Sequence, residues 1–163
     1  MSTVPAGATV LADKTVIFSG GSGYLGGAMV RHLLECGATI VNLGRREPDV
    51  GEHLARRFRH MMVDFYDTVA LTSVLTSLTE ELDRIDVLVN NSFDFSTKTG
   101  FNHPSGRIEG ITRETFLNGV ESGIYWPLLC SQIVGRKMIA QGGGHIINIA
   151  SLYSFLVADY RMY

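Results

Sequence analysis

The chain has 163 residues, 45% of them hydrophobic and 18% charged, enough for one globular domain with a real core. Fourteen Lys and Arg against sixteen Asp and Glu leave a formal net charge of -2, which argues against nucleic-acid or anionic-membrane partners. No stretch is apolar over the ~20 residues that a membrane span requires. Residues 1–13 lack the charged start and apolar centre of a signal peptide and read as a short flexible leader. The only cysteines, Cys36 and Cys130, are far apart in apolar helical settings. They read as buried free thiols of a cytoplasmic protein, neither a disulfide nor a metal pair.

Strand and helix signals alternate from Lys14 onward. A first strand is expected at Thr15–Ser19. A helix follows from about Tyr24 to Cys36, with Leu25, Met29 and Leu33 at helical spacing and Gly37 at its end. The second strand, Thr39–Leu43, is apolar except for Asn42, as suits a strand covered on both faces. A short helix near Val50–Arg57 precedes a third strand at Met61–Asp64. The basic run Arg56, Arg57, Arg59 and His60 reads as a solvated helix end. Leu71, Leu75, Leu78 and Leu82 form one helical face, and a fourth strand follows at Asp86–Val89. The stretch from Ser92 to Gly110 is polar and rich in turn signals, a functional loop by its length. A long helix is expected from Thr112 to about Ala140, kinked or broken at Pro127, and a fifth strand at His145–Ala150. These repeated strand–helix–strand units predict an α/β fold: a doubly wound parallel sheet of order 3-2-1-4-5 with ligands at the carboxyl ends of its strands.

The chemistry begins where the first strand meets its helix. Ser19-Gly20-Gly21-Ser22-Gly23-Tyr24-Leu25-Gly26 is a glycine-dense turn that opens a helix. Glycines there allow positive φ and let the backbone approach a pyrophosphate, which the first-turn N–H groups then face. At the end of the second strand stand Gly44-Arg45-Arg46 in place of the acid that would bind an adenosine 2′-hydroxyl. Forked, charge-assisted bonds from Arg45 and Arg46 suit a 2′-phosphate, so NADP is the expected cofactor, with Glu47 or Asp49 leaving NAD open.

Four segments together resemble the short-chain dehydrogenase/reductase family over essentially everything from Lys14 onward. The turn Ser19 to Gly26 is similar to the family's Thr-Gly-x-x-x-Gly-x-Gly, with Tyr24 in place of the second glycine. Asp64-Phe65 falls where the family's Asp bonds the adenine amino group. Asn90-Asn91-Ser92 resembles the Asn-Asn-Ala-Gly segment beside the cofactor, and Ile147-Asn148-Ile149-Ala150-Ser151 resembles the motif ending in the catalytic serine. The resemblance implies a Rossmann-like dinucleotide domain over residues 14–163 and interconversion of a small-molecule carbonyl and a secondary alcohol. It further implies a role for Ser151 in orienting the substrate oxygen, and a homo-oligomer for the full-length form. Spacing Gly20-x-x-Gly23-x-x-Gly26 also suits the family's extended branch of sugar-nucleotide epimerases and dehydratases, which stays an alternative, as does a non-catalytic nucleotide-binding fragment.

Two features depart from the family pattern. No Tyr-x-x-x-Lys follows Ser151; Tyr163 lies near the usual interval, but the run from Ala158 to Tyr163 resembles members whose catalytic tyrosine comes after an insertion. The sheet is therefore expected to be incomplete at its C-terminal edge, the chain being part of a longer protein or a truncated product. The family's asparagine in the long helix falls near Gly123, and Asn118 is more than one turn away.

Overall fold

The computed structural model describes residues 9–152. Strands β1 (Thr15–Ser19), β2 (Thr39–Gly44), β3 (Phe58–Met62), β4 (Val87–Asn90) and β5 (His145–Asn148) form one sheet of order β3-β2-β1-β4-β5. Every pairing is parallel. This is the doubly wound, Rossmann-like α/β arrangement that the alternating pattern predicts.

Period-two alternation sorts the strand side chains into two cores. Ile17, Val41, Leu43 and Leu88 pack with α2 (Thr68–Glu81) and α4 (Trp126–Ala140) on one face. Val16, Phe18, Ile40 and Val89 pack with α1 (Tyr24–Glu35) on the other. The leucine row of α2 behaves as its spacing requires, since Leu71, Leu75 and Leu78 are fully buried. Both cysteines are buried as free thiols.

Several strand boundaries differ from the sequence expectation, most of all those of β3. Strand β3 begins at Phe58, three residues before the expected Met61. Phe58 pairs with Ile40 and packs on the α1-side core, so an aromatic inside a basic run anchors the strand. The basic run is consequently not a solvated helix end. Arg56 and Arg57 finish a 3-10 turn (Glu52–Arg57), whereas Arg59 pairs with Glu81 and His60 bonds Asn42 from within β3. Asp64 lies beyond the strand, where the ladder ends with the Val63 N–H donating to the Gly44 carbonyl at 3.1 Å. Strand β4 extends to Asn90, and β5 stops at Asn148, two residues before the expected end.

The long helix is interrupted where proline requires it. Thr112 caps α3 (Arg113–Val120) by accepting the Thr115 N–H at 3.1 Å. Residues Glu121–Tyr125 then form a π turn, closed by the Trp126 N–H donating to the Glu121 carbonyl. Pro127, in the first turn of α4, has no N–H to offer the preceding turn, and the wider winding absorbs that loss. This turn faces the carboxyl ends of β4 and β5, so the interruption shapes the site. Strand β5 is exposed at every position, including Ile146 and Ile147. Among the described residues it forms an open sheet edge.

Candidate dinucleotide and substrate site

The turn after β1 is held open by close packing. Gly20 has φ +78, the left-handed region that favours glycine. A Cβ on Gly21 would overlap Asn42 Oδ1, and one on Gly26 would overlap the Gly20 carbonyl oxygen. Gly23 is unlike them: its φ is -75, and a Cβ there would meet nothing nearer than the Gly20 oxygen at 3.5 Å. Of Gly20, Gly21 and Gly23, all free to take a positive φ, only Gly20 does so. Gly23 instead leaves its outer face open to solvent. It is the N-cap of α1, it supplies no side-chain acceptor, and the first turn carries no acidic residue. The first-turn N–H groups thus lack a side-chain partner and present a positive helix end beside Ser22, Tyr24 and Leu25. Tyr24 is fully exposed.

The adjoining turn after β4 is bound to the glycine turn from both sides. Ser19 Oγ accepts the N–H groups of Asn91 and Ser92, each at 3.0 Å. Asn91 Nδ2 donates back to the carbonyls of Ser19 at 3.3 Å and Gly20 at 3.1 Å. Asn90 points the other way, and its Nδ2 donates to Asn148 Oδ1 at 2.8 Å and Ser131 Oγ at 3.2 Å. Sequence motifs therefore come together in space, but Asn90 and Asn91 spend their side-chain N–H groups on the protein.

Arg45 and Arg46 are exposed at the end of β2. Arg45 lies near enough to the half-buried Tyr66 and the buried Asp94 to act on both charges. The Tyr66 hydroxyl donates to Asp94 Oδ2 at 2.8 Å. Burial and the neighbouring carboxylate push the Tyr66 phenol well above its ordinary value. Burial works against the Asp94 carboxylate too, yet the bonds from Tyr66 and Ser96 and the charge of Arg45 outweigh it and hold Asp94 below the usual range. Asp64 is exposed and accepts the Tyr66 N–H at 3.1 Å, with one carboxylate oxygen left for another partner. Phe65 is buried against Trp126, so only its backbone remains available to a ligand.

An open groove of about 450 Å³ runs between the ends of β4 and β5 and the π turn. Asn91, Ser92, Phe93, Gly123, Ser131 and Asn148 contribute to its lining. Gly123 stands where the family asparagine is expected, facing the Phe93 ring with no side chain of its own. Asn118 does not replace it, because its Nδ2 donates to the Lys98 carbonyl at 3.2 Å. Ser151 is exposed two residues past the β5 ladder bond between the Ile149 N–H and the Asn90 carbonyl. Tyr163 and the first eight residues of the leader lie outside the described residues. Among those described, no three His, Cys, Asp or Glu groups are arranged to hold a metal ion, and no helix is long and apolar enough to cross a membrane.

Sequence reasoning passed over the Tyr66–Asp94 pair and the groove residues Ser131 and Asn148. Asn148 had a signal, a single amide inside an isoleucine strand, while Tyr66 and Asp94 are joined only through the fold.

The geometry has counterparts among known proteins. The family model for short chain dehydrogenase matches residues 14–162. A 3alpha-hydroxysteroid dehydrogenase of Mediterraneibacter gnavus is 27% identical over 154 residues, covering 89% of this chain and 58% of the relative. An NAD-dependent glycerol dehydrogenase of Listeria innocua is 28% identical over 153 residues, covering 91% of this chain and 57% of the relative. A short chain dehydrogenase from Leptospira borgpetersenii, solved with bound NAD+, superposes with a TM-score of 0.77 at 27% identity, covering 94% of this chain and 57% of that one. The chain thus spans less than two thirds of the length of these relatives. With the family model covering nearly all of it, the chain belongs to the short-chain dehydrogenase family.

Proposed function

We propose that this chain supplies the dinucleotide site of an oxidoreductase that interconverts a carbonyl and a secondary alcohol, with NADP as its preferred cofactor. The observation that carries the proposal is the uncapped N-terminus of α1 opening beside Gly23, with Arg45 and Arg46 exposed at the end of β2. A pyrophosphate satisfies the first, and a 2′-phosphate gives the arginines a charge to grip. In this reading Ser19, Gly20, Ser22, Gly23, Tyr24, Leu25 and Gly26 form the phosphate turn, and Asp64 with the Phe65 backbone meets the adenine. Asn90, Asn91 and Ser92 form the wall beside the nicotinamide. The bound cofactor supplies the hydride. Ser151 orients the substrate oxygen from the end of β5, over a groove whose lining is uncharged. The partner is a small carbonyl or alcohol, the compartment is the cytoplasm, and the full-length form is a homo-oligomer.

Binding is the property to test, because the proposal rests on the nucleotide turn and on Arg45 and Arg46. Calorimetry of the full chain with NADPH and NADH should favour NADPH, and Arg45→Asp should reverse that preference toward NADH. An affinity ratio unchanged by Arg45→Asp would remove the NADP assignment. Failure to bind either nucleotide would remove the cofactor reading itself.

A further inference from the structure

Asn42 is fully buried, the one polar side chain in the closed stretch of β2 that follows its exposed first residue, Thr39. Its amide spans two elements. Oδ1 accepts the Gly21 N–H at 2.8 Å, fixing the middle of the phosphate turn, and Nδ2 lies 3.0 Å from His60 Nδ1 on β3. The first bond decides the second. Only the carbonyl end of the amide can accept from Gly21, so the amino end faces His60, and His60 Nδ1 must be the acceptor. That tautomer is neutral and carries its proton on Nε2, which is enclosed without a partner among the described residues. A protonated imidazole has no acceptor, and it would set N–H against N–H across this contact. Relief requires Asn42 to turn, and a turned Asn42 abandons Gly21.

We propose that Asn42 and His60 are positioning residues for the phosphate turn, and that dinucleotide affinity falls as His60 takes up a proton. The inference rests on the reading of that turn as a dinucleotide site. Other charges on the neighbouring elements are engaged elsewhere or solvated. Arg59 pairs with Glu81, Arg57 bonds the Leu34 carbonyl, Arg31 bonds the Asp49 carbonyl, and His32 pairs with Glu35. Glu52, His53 and Arg56 are exposed. No ion pair among the described residues includes His60.

The test uses the full chain and ADP-ribose, whose pyrophosphate does not titrate across the range of imidazoles, about pH 5 to 8. Calorimetric affinity should fall about tenfold from pH 8 to pH 5.5, the scale of one lost buried hydrogen bond. In His60→Gln, whose amide oxygen accepts from Asn42 at any pH, the profile should flatten near the alkaline affinity. Independently of ligand, the Gly21 amide resonance of the free protein should move with the His60 ring titration. An identical pH profile in His60→Gln, or a Gly21 resonance that stays still while His60 titrates, overturns the inference alone. Absence of ADP-ribose binding at every pH overturns the dinucleotide reading and this inference with it.

Discussion

Ser19 and Asn91 hold each other by bonds in both directions: the Asn91 N–H donates to Ser19 Oγ at 3.0 Å, and Asn91 Nδ2 donates to the Ser19 carbonyl at 3.3 Å. Ser19 is buried at the end of β1, so its hydroxyl joins the two turns on which the proposed dinucleotide rests. Ser19→Ala would orphan the N–H groups of Asn91 and Ser92. A loss of about 1–3 kcal/mol is expected from urea unfolding, together with weaker nucleotide binding. Tyr24→Ala, at a fully exposed side chain, should stay within about 0.5 kcal/mol of the parent. Equal stability of the two variants would show that the Ser19 bridge contributes nothing.

Gly23 and Gly26 separate folding from binding. A Cβ on Gly26 would collide with the Gly20 carbonyl and approach Asn91 Nδ2 to 2.9 Å, so Gly26→Ala should destabilise the chain by about 1–3 kcal/mol. On Gly23 the same Cβ meets only the Gly20 oxygen at 3.5 Å, an ordinary contact. Gly23→Ala should therefore melt close to the parent while losing nucleotide affinity, since the methyl fills the approach to the helix end. Unchanged affinity in Gly23→Ala would place the pyrophosphate elsewhere.

These residues also mark how far the sequence could be read. Sheet order followed from alternation and the crossover rule, because both are local or topological. The turn, the arginines, Asn90-Asn91 and Ser151 were legible as motifs at strand ends, where a parallel sheet gathers ligands. Strand β3 was misplaced because its anchor, Phe58, sits among basic residues, and an edge strand shows only half an apolar pattern. Tyr66 and Asp94, 28 positions apart, meet only after β3 and β4 are set on opposite sides of β1. No period or spacing encodes that contact. Asn42 stood out as an amide in an apolar strand, but its two partners required the β2–β3 register.

Cys130 is a packing residue, and its chemistry should say so. It lies in the core shared by α2 and α4 at 1% exposure, and burial pushes its thiol up to about 12. Almost none of it is thiolate at pH 8, and the thiolate is the reactive form. Iodoacetamide at pH 8, followed by site-resolved mass spectrometry, should leave Cys130 unmodified in the native chain and label it fully in urea. Native labelling at a rate like that of a free thiol would contradict this placement.

Stability should decline at both ends of the pH scale, for opposite reasons. Asp86 and Asp94 are buried, and burial alone would raise both. Outweighing it at Asp86 are the Thr15 N–H at 3.0 Å, Arg84 at 2.8 Å and Lys14 at 3.6 Å; at Asp94 they are Tyr66, Ser96 and Arg45. Both carboxyls are thus lower when folded than in the unfolded chain, near about 3.9. Their contribution is complete above that value and is lost as pH falls through the folded one. Tyr66 is raised instead, first by burial and then by its bond to Asp94. Its contribution is complete below the unfolded tyrosine value of about 10 and is lost as pH rises beyond it. Urea unfolding at intervals from pH 2 to 11 should therefore show a plateau between about pH 5 and 9. Asp94→Asn should lower that plateau by about 1–3 kcal/mol and converge on the parent at acid pH, because the protonated carboxyl has already lost what the amide lacks. Tyr66→Phe should flatten the alkaline limb while keeping the part of the acid limb that belongs to Asp86. An alkaline limb as steep in Tyr66→Phe as in the parent would mean that another group carries it.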